Sequence, residues 1–160
     1  MADVELIFAY GSNMDIAQMR ERCPDSRNVL QPLVVKAQGW KLCFPRYSDK
    51  RKGGVGSIIR APRETVWGVV YRITTHRDLA SLDKSEGVFK NAYHRERLTV
   101  VGEDGNEFDT WTYFAVPQDT PMRHYQPNAD YLAAYIRGAE HFNIDKAYID
   151  KLRKIETVSG

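Results

Sequence analysis

Leu6-Ile7-Phe8-Ala9-Tyr10-Gly11-Ser12-Asn13 is a short apolar run that ends at a glycine followed by two small polar residues. Its length and composition read as a buried strand entering a tight turn. A helix is expected next. Asn13 or Asp15 caps it, Ile16 and Met19 give it an apolar face, and Pro24 forbids continuation beyond about Arg22. Such a unit gathers unpaired backbone N–H groups and the positive end of a helix dipole around Tyr10, Gly11, Ser12 and Asn13. Gly11 has no Cβ to hold a ligand away. The turn therefore reads either as an anion cradle or as a plain capped connection.

Working outward, residues 29–37 and 40–44 read as two strands parted at Gly39. Residues 45–56 carry Arg46, Lys50, Arg51 and Lys52 among three glycines and read as a mobile basic loop. Residues 57–61 and 66–73 form a strand pair around Pro62, the second alternating Trp67, Val69, Tyr71 and Ile73. Thr74 or Thr75 caps a helix through Leu79 and Leu82 that ends at Gly87. Residues 93–101 and 107–116 flank Glu103-Asp104-Gly105-Asn106 as a hairpin. Asn128 then caps a helix with Tyr131, Leu132, Tyr135 and Ala139 on one face, and Ile144, Tyr148, Leu152 and Ile155 continue the helical spacing. Strands early and helices late predict an α+β fold with a mixed, strongly curved sheet, in a single domain spanning residues 1–160.

Composition narrows the function. The chain has 160 residues, 42% hydrophobic and 28% charged, enough for a sizeable core without disulfides or a structural metal. A net charge of +2 is a poor electrostatic footprint for nucleic acid, although Arg46, Lys50, Arg51 and Lys52 beside Tyr47 keep that reading in view. Acidic Asp3 and Glu5 near the start, and the absence of an apolar run approaching the roughly 20 residues of a bilayer span, predict a protein without signal peptide or membrane segment. Cys23 and Cys43 show no CxxC spacing, which fits a reduced, cytoplasmic setting. No GxxxxGK[ST] or GxGxxG loop favours a nucleotide, and His76, His94, His124 and His141 show no metal-ligand spacing. Without a GxSxG elbow, covalent catalysis has no local signature. No cofactor and no metal are expected, and the predicted partner is a small molecule.

Glu86 lies in Leu82-Asp83-Lys84-Ser85-Glu86-Gly87, where a carboxylate meets the negative C-terminal end of a helix. That placement predicts a raised pKa suited to proton transfer, or else a solvated residue of the last turn. The combination of turn and glutamate resembles the gamma-glutamylcyclotransferase family with its AIG2-like relatives. The family's YGSN-type loop matches Phe8-Ala9-Tyr10-Gly11-Ser12-Asn13-Met14, with Met14 in place of the usual Leu. Its strand pair matches Gly56-Ser57-Ile58-Ile59-Arg60-Ala61-Pro62 and Val66-Trp67-Gly68-Val69-Val70-Tyr71, and its Leu-Asp-x-x-Glu-Gly segment matches Leu82 to Gly87. The resemblance covers residues 8–155.

That resemblance implies a small barrel-like fold with flanking helices and an intramolecular aminolysis. The α-amine of a γ-glutamyl group attacks its own γ-carbonyl, giving 5-oxoproline and a released amine or amino acid. The family's catalytic glutamate falls on Glu86 as general acid/base, and its pocket tyrosines on Tyr93 and Tyr131, both of which also suit an ordinary core. The loop of Tyr10, Gly11, Ser12 and Asn13 is expected to bind substrate, through either its α-carboxylate or the tetrahedral oxyanion. A binding or regulatory protein on the same fold is the alternative. The released portion stays open among an amino acid, a polyamine, an ε-lysine and a biosynthetic intermediate, and so does the oligomeric state.

Overall fold

The computed structural model describes residues 4–158. Asp3 and both ends of the domain expected over residues 1–160 lie outside it. The elements are β1 (Glu5–Ala9), α1 (Ile16–Arg22), β2 (Leu33–Ser48), β3 (Gly53–Ile73), α2 (His76–Ser85), β4 (Tyr93–Gly102), β5 (Glu107–Ala115), α3 (Ala129–His141) and α4 (Lys146–Arg153), with single 3₁₀ turns at Ser12–Met14 and Val88–Lys90. The strands close a barrel in the order β1-β3-β2-β4-β5. All neighbours are antiparallel except β5 and β1, which meet in parallel where Ile7 pairs with Trp111. Closure leaves the short β1 flanked on both sides, which is why Ile7, Phe8 and Ala9 are almost wholly buried. Among the described residues no helix is long and apolar enough to cross a membrane.

β2 and β3 correct the expected strands. Each pair of short strands belongs to one long strand, with residues 29–32 left outside β2, and the two stay paired as an arm past the positions where β3 meets β1 and β2 meets β4. Two register shifts absorb the punctuation that suggested breaks. At the first, Gly39 adopts φ 84°, left-handed backbone that suits glycine, and residues 61–64 loop out opposite it between the Gln38–Thr65 and Trp40–Arg60 pairs. Pro62 sits in that bulge, where its missing N–H costs no ladder bond. The expected mobile loop over residues 45–56 is likewise corrected. Pairing continues through Arg46–Val55, Tyr47–Gly54 and Ser48–Gly53, so only residues 49–52 form the tip.

Docking of the arm sets the position of α3. Gly54 N–H donates to Gln126 O at 2.9 Å, and Tyr125 N–H donates to Phe44 O at 2.8 Å. These bonds strap the segment before α3 along the arm. Asn128 caps α3 by accepting from Asp130 N–H at 2.9 Å, as its position predicts. The apolar face then turns Leu132, Tyr135 and Ala139 inward.

Candidate active site

At the end of β1 the chain enters the Ser12–Met14 turn before α1 begins. This revises the expected anion cradle. The N-terminus of α1 is already satisfied, since the Asp15 carboxylate accepts from Ala17 N–H at 3.0 Å and Gln18 N–H at 3.3 Å. The donors left over belong to the turn itself. Among the described residues, no acceptor pairs with the backbone N–H of Gly11, Ser12 or Asn13. The three residues line a cleft of ≈ 340 Å³ together with Tyr10, Gly56, Glu86, Tyr93, Tyr113, Tyr131 and Tyr135.

Glu86 reaches that cleft from the other side. It closes α2, with its N–H bonded to Leu82 O, and Gly87 at φ 70° reverses the chain after it. Leu82 is fully buried beneath the helix, while Asp83 accepts from Arg95 Nε at 2.9 Å and from the Tyr113 hydroxyl at 2.7 Å. Leucine anchors the last turn, aspartate ties it to β4 and β5, and glutamate is left facing the cleft. Each position of Leu-Asp-x-x-Glu-Gly thus has a separate mechanical task.

Asn13 comes from 73 residues away in sequence and donates its amide Nδ2–H to Glu86 Oε1 at 2.7 Å. Arg22 Nη1 in turn donates to Asn13 Oδ1 at 2.6 Å. The Asn13 side chain is therefore engaged with Glu86. Its backbone alone stays available at the turn. Burial holds the Glu86 carboxyl above its ordinary value, and nearby Asp83 adds to this. The Asn13 hydrogen bond and the Arg22 and Arg51 charges pull the other way. The direction agrees with that read from the helix end, but burial is the larger cause.

The tyrosines form the opposite wall. Between Cys43–Ser57 and Arg46–Val55 the second register shift skips Gly56, releasing its peptide from the β2–β3 ladder. Tyr131 accepts from Gly56 N–H at 3.0 Å, and the Tyr93 hydroxyl donates to Gly56 O at 2.9 Å. One bulge thus orients both sequence-predicted tyrosines. Tyr131 also bonds the Tyr135 hydroxyl at 2.8 Å, and Tyr10 donates to Tyr113 O at 2.6 Å. Burial raises the phenol pKa of Tyr10, Tyr93, Tyr131 and Tyr135, so all four present O–H groups.

Tyr135 was read only as a core residue. It is 1% exposed, yet its ring presses on the turn so closely that a Cβ on Gly11 would lie 2.7 Å from Tyr135 Cζ. A Cβ on Gly56 would lie 2.0 Å from the Tyr135 hydroxyl oxygen. The i, i+4 spacing of Tyr131 and Tyr135 was the available signal. Tyr113 had none beyond strand membership, and Gly56 had only its place in the matched strand pair. The four histidines are all exposed, and among the described residues no group of three or more His, Cys, Asp or Glu is arranged to hold a metal. Cys43 is buried and free, with its thiol pushed up to about 11, which makes it a poor nucleophile.

Relatives share this architecture across the chain. A sequence model of the AIG2-like family matches residues 65–152. Gamma-glutamylcyclotransferase of Mus musculus is 30% identical over 158 residues, covering 94% of this chain and 78% of the relative. That of Bos taurus is 32% identical over 155 residues, with the same coverage. The chain belongs to the AIG2-like gamma-glutamylcyclotransferase family. A solved gamma-glutamyl cyclotransferase structure superposes with a TM-score of 0.87 at 27% identity, covering 99% of this chain and 91% of the other. It is an enzyme of the gamma-glutamylcyclotransferase family.

Proposed function

We propose that the enzyme converts a γ-glutamyl amino acid or amine to 5-oxoproline and the free amine, with Glu86 as the single general acid/base. The observation that carries this reading is the half-buried Glu86, held at 2.7 Å by Asn13 in a tyrosine-walled cleft that is also lined by the Gly11–Asn13 turn with its unpaired amides. The α-nitrogen of the substrate bonds to its own γ-carbon while the γ-amide C–N bond breaks. No water is consumed. The α-ammonium gives up two protons overall and the released amine takes up two, so a carboxyl that accepts and then returns a proton suffices. Folding the γ-glutamyl chain back toward its carbonyl supplies the proximity that favours a five-membered ring.

The turn amides serve as donors to an anionic oxygen, either the α-carboxylate or the oxyanion of the tetrahedral intermediate. Tyr93, Tyr131 and Tyr10 shape the sides of the cleft, and Asn13 orients Glu86. A mass-spectrometric screen of γ-glutamyl amino acids and amines for 5-oxoproline tests the reaction. No release from any of them would exclude it.

Two further results are expected. Asn13→Ala removes a hydrogen bond that favours the charged form of Glu86, so the acid limb of the kcat/KM profile moves to higher pH. An unmoved limb, or one displaced to lower pH, would break the link between Asn13 and the catalytic carboxyl. Chelation followed by desalting is expected to leave turnover intact, because the reaction needs only proton transfer and oxyanion stabilisation. Loss restored by one particular divalent cation would overturn that cofactor-free route.

A further inference from the structure

Arg22 is the last residue of α1, and the chain on either side of it is fixed. Met19 and Cys23 are fully buried, Asp25 N–H donates to Asp78 Oδ1 at 3.3 Å, and the buried Ser26 hydroxyl donates to Asp78 Oδ2 at 2.6 Å. Asp78 belongs to α2, so the end of α1 is tied to the helix that carries Glu86. From there Arg22 Nη1 donates to Asn13 Oδ1 at 2.6 Å, and Asn13 Nδ2 donates to Glu86 Oε1 at 2.7 Å. One turn earlier, Gln18 satisfies both ends of its amide with Oε1 accepting from Arg22 Nη2 at 3.2 Å and Nε2 donating to Ser12 O at 3.1 Å. α1 thus grips the turn twice, at the Asn13 side chain and at the Ser12 carbonyl.

The chemistry of these groups gives the chain of bonds a direction. An amide can offer either its oxygen or its nitrogen to a neighbour, and a carboxyl accepts when ionised but can donate when protonated. A guanidinium can only donate. Arg22 therefore requires the oxygen of Asn13, and the planar amide then has only its NH₂ end left for Glu86. We propose that Arg22 is a positioning residue that, through Asn13, holds Glu86 as a hydrogen-bond acceptor, the state in which it can take a proton from the substrate amine; this rests on the reading of Glu86 as the acid/base. Without Arg22 the Asn13 amide is free to turn and accept from a protonated Glu86, and the carboxyl keeps its proton to higher pH. The other groups that face Glu86 are Asp83 on its own helix, Arg51 at the arm tip, and the phenols of Tyr10, Tyr93, Tyr113 and Tyr131, whose hydroxyls burial keeps protonated. Arg22 alone among the described residues bonds Asn13 Oδ1.

The test follows the Glu86 carboxyl by carbon-13 NMR in the free enzyme as pH is raised, with the signal assigned by its loss in Glu86→Gln. Arg22→Met is expected to move the titration midpoint up by about one pH unit, the tenfold in proton affinity that one charge-assisted hydrogen bond supplies, and the acid limb of kcat/KM with it. Arg22→Lys, which can likewise only donate, should recover part of the shift, whereas Arg22→Gln, which can donate or accept, should not. Loss of the Arg22 charge by itself acts in the same direction, and an Asn13→Ala background separates the two. There Arg22→Met should move the midpoint by less than about half as much, because the amide that carries the effect is gone. Arg22 is half-buried, and melting curves check that each variant folds. The comparison of Arg22→Lys with Arg22→Gln carries the test if Arg22→Met fails to fold. An unmoved midpoint in Arg22→Met, an equal shift with and without Asn13, or equal recovery in Arg22→Lys and Arg22→Gln overturns the relay alone. The expected shifts in a protein that releases 5-oxoproline from no γ-glutamyl compound leave the relay standing and overturn the acid/base reading instead.

Discussion

Glu86→Gln is expected to lower kcat by about 10²- to 10⁴-fold, the range a positioned acid/base group supplies, while binding of 5-oxoproline is largely retained. Gln keeps the shape of the side chain and can still accept from Asn13 Nδ2–H, but it cannot carry the proton. The stability change has a definite sign. Burial raises the folded-state pKa of Glu86 above its unfolded value. The stability associated with its protonated form is therefore complete below the ordinary carboxylate range and is lost as pH rises through the folded pKa. Gln is uncharged throughout, so the variant should melt at or above the parent temperature near neutral pH. A variant that turns over within a few-fold of the parent would remove Glu86 from the chemistry. Lost activity with a lowered melting temperature would point to a structural role.

Gly11→Val should be the second large effect. The Cβ it introduces would lie 2.7 Å from Tyr135 Cζ, and Tyr135 is locked by its hydroxyl bond to Tyr131. Either the turn or the tyrosine must move, which misplaces the unpaired N–H donors of the turn. The expected loss in kcat/KM is on the order of 10²- to 10³-fold, as for removal of an oxyanion donor. Overpacking of this kind also costs about 1–3 kcal/mol of stability. Ser12→Ala keeps the backbone N–H, and its loss should stay within about tenfold. Circular dichroism and melting curves must accompany the kinetics, since a misfolded Gly11→Val protein would imitate a site effect. A folded Gly11→Val enzyme with parental turnover would remove the turn from the active site.

Much of the local structure was legible from residue spacing. Thr75 and Asn128 cap their helices, Gly87 takes the left-handed conformation after α2, and the Glu103–Asn106 turn joins β4 to β5, as the sequence predicts. These features are decided within a few residues. The strands around Gly39 and Pro62 were read as broken because both residues disfavour a regular ladder. A bulge that uses Gly39 and leaves Pro62 unpaired accommodates them in continuous strands. The loop read over residues 45–56 failed for a related reason. Glycines and basic residues look like a surface loop until a partner strand is opposite them.

By itself, the sequence determined the strand, turn and helix around Gly11, the glycine that ends α2 right after Glu86, and the resemblance that put Glu86, Tyr93 and Tyr131 in one pocket. Only the tertiary structure decided that β5 closes on β1, that Asn13 holds Glu86, that Tyr135 presses on Gly11, and that the freed peptide of Gly56 orients two tyrosines. The physical reason is range. Caps, turns and periodicity are set by interactions between near neighbours and leave a local pattern. The contacts that build the cleft join residues far apart in the chain, and their partners are selected by barrel closure and core packing together.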